Sequence, residues 1–288
     1  MNKKSFLYIF IAMSFIAPSV SHAQSSTDLN QLTAQGVAVY SWHNGVATAL
    51  YVKKENYLFP VASMTKLVTA KAVEQLYPAS TIFTISPQAM MNTKEANISI
   101  VPGMAFSRDD MMRSLLVSSN NGVANQFAAS AGGTVFLDAM NNFLHTSGYT
   151  TTNFINPSGL DPASKKIAPN RLTPKNLSRL MSDIFTSDPL LTSILETKAV
   201  LVTEQTSRKQ IQIKSSNELN YDPQYNFYVT LSKTGSTNLA GQDLAFVTNG
   251  GTKFDYVTVV FMHSKNRYDD GQIILNWLQK VLSYTIQP

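Results

Sequence analysis

Three groups of residues in this chain have types and spacings suited to acyl transfer: Ser63-Met64-Thr65-Lys66, Ser119-Asn120-Asn121 and Lys233-Thr234-Gly235. Residues i and i+3 of a helix share a face, so a helix opening at the first group brings the Ser63 hydroxyl within reach of the Lys66 amine. Serine is a weak nucleophile until a base takes its proton. Lysine is that base only when neutral, and an unperturbed lysine titrates at about 10.4. Burial against Met64 and Leu67, with a second cation nearby, is what lowers it. A depression of about three units is roughly 4 kcal/mol of environment, which demands a closely built site. At a helix N-terminus Ser63 would also meet free N–H groups and the positive end of the helix dipole, where developing negative charge is favoured.

Ser119 and Asn121 fall between two helical runs, where a loop can present a second hydroxyl and an amide to the same cleft. The hydroxyl can relay a proton to a leaving amine, and the amide can hold a substrate carbonyl or Lys66. Ser118-Ser119-Asn120 and Ser215-Ser216-Asn217 fit the same Ser-x-Asn pattern. Ser119 with Asn121 is the preferred register and Ser118 with Asn120 the fallback. Lys233-Thr234-Gly235 comes at the end of a β-rich run, where glycine lets a ligand lie close to the backbone. There Lys233 supplies positive charge and Thr234 a hydroxyl for a substrate carboxylate, while an extended substrate pairs with the strand edge. The N–H groups of Ser63 and Ser236 can form an oxyanion hole. Singly, these groups also read as a helix cap with a surface lysine, a polar loop and a strand-end turn. Their force is collective, since Ser-x-x-Lys and Lys-Thr-Gly each occur once, in one order.

The elements that must position them follow from periodicity. Alternating runs at 36–42 and 47–53 flank His43-Asn44-Gly45, a strong hairpin signal. Helical patterns cover 66–77, 108–117 and 122–130, with Asp109 and Asp110 at the positive end of the second. Two more helices are expected at 134–147 and 173–185, the latter with Thr173 as N-cap and Pro174 at the first helical position. Between them lies a turn-rich loop, 154–161. Strand patterns return at 199–203, 210–214, 227–232, 243–248 and 256–262, with a hairpin turn at Asn249-Gly250-Gly251, and an amphipathic helix closes the chain at 272–287. The order implies an α+β fold: an antiparallel sheet formed by both chain ends and flanked by helices, with a mostly helical inserted lobe. Residues 24–288 read as a single catalytic domain, its sheet lobe about 35–62 and 197–288, its helical lobe about 63–196.

Residues 1–23 read as a secretory signal peptide: Lys3 and Lys4, an apolar stretch from Phe6 to Ala17 and a small-x-small site at Ser21-His22-Ala23. Its removal takes the formal charge from +5 to +3. No basic run or aromatic-interleaved stripe points to nucleic acid, and no second segment reaches membrane-spanning length. With no cysteine there is neither disulfide nor thiolate metal site, and His43, His145 and His263 lack helix-spaced partners, so no metal and no cofactor is expected. The 288 residues, 44% hydrophobic, suffice for a buried core.

The residues resemble the serine penicillin-binding proteins and β-lactamases, and more narrowly the low-molecular-mass D-alanyl-D-alanine carboxypeptidases and endopeptidases. The resemblance runs through Pro60 to Leu67, Leu115 to Asn121, Asn153 to Asp161 and Leu231 to Gly241, nearly all of the chain beyond the leader. It implies that Ser63 is acylated, that Lys66 is its base, and that the Lys233-Thr234-Gly235 strand binds the terminal carboxylate. It implies peptidoglycan stem peptides as substrate and β-lactams as covalent inhibitors. The leader leads us to expect a periplasmic or otherwise secreted enzyme, and the closing helix, with no room after it for the C-terminal β-domain and membrane-binding tail of many such carboxypeptidases, a soluble one with no membrane anchor after leader cleavage. The stretch Lys233 to Gly241 is similar to that of the soluble D,D-endopeptidases, making endopeptidase the first reading and carboxypeptidase the second. A β-lactamase needs a group that activates deacylating water; the stretch 156–161 offers no glutamate, and Asn217-Glu218-Leu219-Asn220 lies too near Lys233 to be that loop. A wall-binding protein of weak activity is a further alternative. Whether Arg208 or Arg267 helps to bind carboxylate stays open.

Overall fold

β1 (Gly36–His43) is apolar on both faces: Val37 and Val39 point to one side, Ala38 and Tyr40 to the other, and all four are buried. A strand apolar on both faces belongs in the middle of a layered structure. In this computed structural model, which describes residues 29–91, 93, 99–149, 153–217 and 229–282, β1 lies between β2 (Val46–Lys53) and β11 (Tyr256–Ser264). The sheet continues through β10 (Gly241–Asn249) to β9 (Leu231–Thr237), every pairing antiparallel. Both chain ends thus build one sheet, as the order of patterns implied, while the short strands β3 (Phe59–Pro60) and β6 (Arg171–Leu172), and β4 (Ile82–Thr84) and β5 (Ala105–Ser107), pair two by two outside it. Asn44 and Gly45 take positive φ, 51° and 76°, the twist that a two-residue β1–β2 turn requires. The β10–β11 connection falls at the anticipated Asn249-Gly250-Gly251, extended to Asp255. The leader at 1–23 lies outside the described residues.

On one face of the sheet, met directly by residues 174–187 and 189–195, lie the helices of the inserted lobe. They are α1 (Thr65–Leu76), the single turn α2 (Pro87–Met90), α3 (Arg108–Val117), α4 (Asn121–Ser130), α5 (Gly133–Thr146), α6 (Pro174–Ser187) and α7 (Pro189–Leu195). Met64, Leu67, Leu115, Phe127, Phe136, Met140, Leu177, Val247 and Met262 belong to this larger core. On the opposite face, α8 (Arg267–Leu282) covers Val37, Val39, Leu244, Phe246 and Phe261 with Ile274, Leu275, Trp277 and Leu278. Among the described residues no helix is long and apolar enough to cross a membrane. The helix starts are capped as their sequences demand. Ser107 accepts from Asp110, Asn120 from Val123 and Thr173 from Asn176, each cap contributing about 1 kcal/mol.

Two local expectations change. Residues 199–203 and 210–214 form strands β7 (Ala199–Thr203) and β8 (Gln210–Lys214), but they pair only with each other, in a hairpin that buries Val202, Ile211 and Ile213 beside α3. Their alternation specified strands; which sheet they join depends on long-range packing. Lys233-Thr234-Gly235 lies inside β9 rather than after it, because the strand runs on to Thr237. Residues 218–228, holding Glu218 and the start of the expected 227–232 strand, lie outside the described residues.

Candidate active site

Ser63 stands in a single 3-10 turn, Ala62–Met64, immediately before α1, rather than in the α-helix itself. The turn is entered through a strained residue: Ala62 has φ 41°, a left-handed conformation that L-residues with a Cβ avoid at a cost of about 1–2 kcal/mol. Lys66, one turn on, is wholly buried. Its Nζ donates to Ser63 Oγ at 2.9 Å, Asn121 Oδ1 at 2.7 Å and the Ser158 carbonyl at 2.8 Å. Three oxygens around one nitrogen fix the amine against the hydroxyl that it would deprotonate.

The middle motif resolves its own register. Ser119 has φ 61°, a second strained backbone position, between α3 and α4. Asn121 is the first residue of α4 and points to Lys66, whereas Asn120 is spent as that helix's N-cap and Ser118 Oγ donates to the Ser114 carbonyl. Ser119 and Asn121 therefore reach the site, and Ser118 and Asn120 do not.

From β9, Lys233 Nζ donates to Ser119 Oγ at 3.0 Å and to the Thr234 carbonyl at 3.0 Å. Burial, then the nearby Lys66 and Arg267 charges, hold the Lys233 ammonium well below the usual lysine range. Lys233 thus holds the Ser119 hydroxyl while its own charge is disfavoured by its surroundings. Gly235 is where β9 passes the nucleophile: a Cβ there would stand 3.2 Å from the Ser63 nitrogen and 3.2 Å from Ala62 Cβ. Ser236, next along the strand and paired with Gln242 of β10, is exposed.

Sequence reasoning assigned no role to the loop 153–161, yet it forms one wall of this site. Asn156 Oδ1 accepts from the N–H groups of Ser158 and Gly159, turning the chain so that the Ser158 carbonyl meets Lys66. Thr69 Oγ1 holds the Pro157 carbonyl at 2.6 Å, and Asp161 bridges to the far end of β9, accepting from Thr237 Oγ1 at 2.7 Å and from the Leu239 N–H at 3.0 Å. The legible signal was the turn cluster Asn156-Pro157-Ser158-Gly159; that its product was a carbonyl aimed at Lys66 was not. Of the two arginines in question, Arg208 is exposed in the β7–β8 turn, bonded to Gln205. Arg267, at the start of α8, donates to the carbonyls of Gly235 at 2.7 Å and Asp243 at 3.1 Å.

One hydroxyl on a buried lysine, faced by a second serine–lysine pair across an edge strand, is an arrangement for serine acyl transfer. The family model for D-alanyl-D-alanine carboxypeptidases, peptidase S11, matches residues 24–265, and the chain belongs to that family. It is similar to the D-alanyl-D-alanine endopeptidase of Pseudomonas aeruginosa, 26% identical over 96% of this chain and 87% of the relative. The Escherichia coli D-alanyl-D-alanine endopeptidase is 24% identical over 95% of this chain and 86% of its own. Among solved structures, a Mycobacterium tuberculosis D-alanyl-D-alanine carboxypeptidase shares the fold with a TM-score of 0.74 at 19% identity, covering 88% of this chain and 93% of that one.

Proposed function

We propose that this chain is an exported serine D,D-endopeptidase that cuts peptide cross-links in peptidoglycan through an acyl-enzyme on Ser63. The observation that carries the acyl-enzyme is Lys66 Nζ, buried and 2.9 Å from Ser63 Oγ. Neutral Lys66 takes the hydroxyl proton as Oγ attacks the D-alanyl carbonyl, and the oxyanion forms against the N–H groups of Ser63 and Ser236. The leaving amine receives a proton through Ser119, which Lys233 supports at 3.0 Å. That proton is the one Lys66 took, so Lys66 is neutral again; it then takes a proton from water as the water oxygen adds to the acyl carbon, and returns it to Ser63 Oγ as the acyl group leaves as the free acid. Thr234 receives the substrate's carboxylate on β9, an edge strand able to pair with an extended peptide.

The choice of cross-links over terminal D-alanine is supported by the endopeptidase names of the two relatives, each matched over nearly the whole of this chain. Export and a periplasmic location are supported by the leader pattern, after which the family match begins at residue 24. β-Lactams are expected to acylate Ser63 and leave slowly. In the loop 153–161 Asp161 is the one carboxylate, and it is bonded to Thr237 and Leu239.

Digestion of purified peptidoglycan with the chain lacking residues 1–23, resolving split dimers from released D-alanine, tests the reading. Split dimers from the wild type and none from Ser63→Ala are expected. Free D-alanine with intact dimers would replace it by the carboxypeptidase that the family description names. Rapid turnover of a chromogenic β-lactam would favour a β-lactamase, and equal behaviour of Ser63→Ala a wall-binding protein.

A further inference from the structure

We propose that Ser216 is a second hydroxyl of the site that takes the substrate's carboxylate, completing it beside Thr234; this rests on the D,D-peptidase reading above. Ser215-Ser216-Asn217 fitted the Ser-x-Asn pattern but lies far in sequence from the nucleophile, and no role in proton transfer falls to it. The fold gives it another place. It lies beside the face of β9 that carries Ser232 and Thr234: Asn217 Nδ2 donates to Ser232 Oγ at 2.5 Å, and Ser216 Oγ stands 3.0 Å from Thr234 Oγ1.

The position of Ser216 is held from several sides. Its N–H donates to the Val117 carbonyl at 2.9 Å, two residues before Ser119, and its own carbonyl accepts from Tyr268 Oη at 3.4 Å. Ser215 N–H donates to the Lys198 carbonyl at 2.8 Å, and Asn217 N–H to Ser215 Oγ at 3.1 Å. The segment thus ties the C-terminus of α3, the base of the β7–β8 hairpin, β9 and the start of α8 together at one point. A hydroxyl so placed needs little ordering when a ligand arrives.

The proton count explains why two hydroxyls stand together. Ser216 and Thr234 own two O–H protons, and their mutual bond uses one. The other is left to donate outward, and a carboxylate is the acceptor that gives the strongest such bond. Thr234 is buried, 5% exposed, whereas Ser216 is exposed, so the pair reaches from the floor of the cleft to its mouth. Lys233, bonded to the Thr234 carbonyl, and Arg267, bonded to that of Gly235, supply the positive surroundings.

The test compares acylation by benzylpenicillin, which carries a carboxylate, with acylation by its methyl ester. Ser216→Ala is expected to weaken apparent binding of the acid about tenfold, the loss of one hydrogen bond to a charged group, while acylation by the ester is unchanged. Ser216→Thr, which keeps the hydroxyl, is expected to restore the acid. Equal loss on acid and ester marks a structural role for Ser216 and overturns the assignment, as does no loss on either. Absence of any adduct on wild-type Ser63 overturns the D,D-peptidase reading, and this assignment with it.

Discussion

Gly159 is the residue whose replacement most directly tests how Lys66 is held. Its φ is +81°, and a Cβ built on it would lie 1.8 Å from the carbonyl oxygen of Ala62 and 2.7 Å from Thr65 Oγ1. The obstructing atom is backbone of the turn that carries Ser63, so no flexible side chain can swing aside. Real Cβ atoms essentially never approach closer than 3.0 Å, so Gly159→Ala forces the loop and the turn apart by roughly 1 Å. The Ser158 carbonyl, one residue away, moves with the loop and releases Lys66 Nζ, which it now holds at 2.8 Å. A displacement of that size costs about 100-fold in rate when reacting groups must align. The left-handed backbone adds about 1–2 kcal/mol of instability. Acylation by a fluorescent penicillin, followed in time, reads the first effect and thermal unfolding the second. Gly45→Ala is the control: its φ of +76° imposes the same backbone strain, but its Cβ meets nothing within 4 Å, so it should lose stability and acylate as the wild type does. A folded Gly159→Ala protein acylated within about threefold of the wild type would refute the reasoning.

Three further outcomes follow from individual contacts. Asn120→Ala removes the α4 cap and should cost about 1 kcal/mol of stability while leaving penicillin labelling intact. Asn121→Ala removes an acceptor of the Lys66 amine and should slow labelling with a smaller change in unfolding temperature; the reverse pattern would reinstate the other register. Asp243 is wholly buried on β10, its Oδ1 accepting from the His263 N–H, and burial pushes its carboxyl well above the usual carboxylate range. Between about 3.9 and that raised value the folded protein keeps a proton that the unfolded chain has released, so stability falls as pH rises through this window. Asp243→Asn cannot titrate, so its stability relative to the wild type should climb as pH rises from about 4, measured by urea unfolding across pH; a difference constant from pH 4 to 8 would exclude the linkage.

The parts of the site legible in the sequence are those carried by local rules. Ser63 and Lys66 share a face because three residues separate them, and Lys66 does reach Ser63 Oγ. Thr173 and Pro174 announce a helix start through backbone chemistry that needs no distant partner. Asn44-Gly45 announces a hairpin because only certain residues accept its φ values. The run at 36–42 likewise announces a strand, although that both its faces are buried came only with the packing.

What one segment meets at another lay beyond those rules. Ser118-Ser119-Asn120-Asn121 offered two registers, Ser119 with Asn121 preferred over Ser118 with Asn120, and it is the start of α4 that assigns Asn120 to the cap and Asn121 to Lys66. The β7–β8 hairpin has the alternation of a sheet strand but joins no larger sheet, since alternation states which side is apolar and not against what it packs. The Ser158 carbonyl has no signature at all, because every residue has a carbonyl. The sequence by itself determined that Ser63 and Lys66 share a face and in what order the elements follow, both set by spacing and local propensity. Tertiary structure alone decided that a loop carbonyl holds the lysine, that Lys233 answers Ser119, and that Ser216 stands beside Thr234, for each joins segments whose meeting depends on the packing of the whole chain.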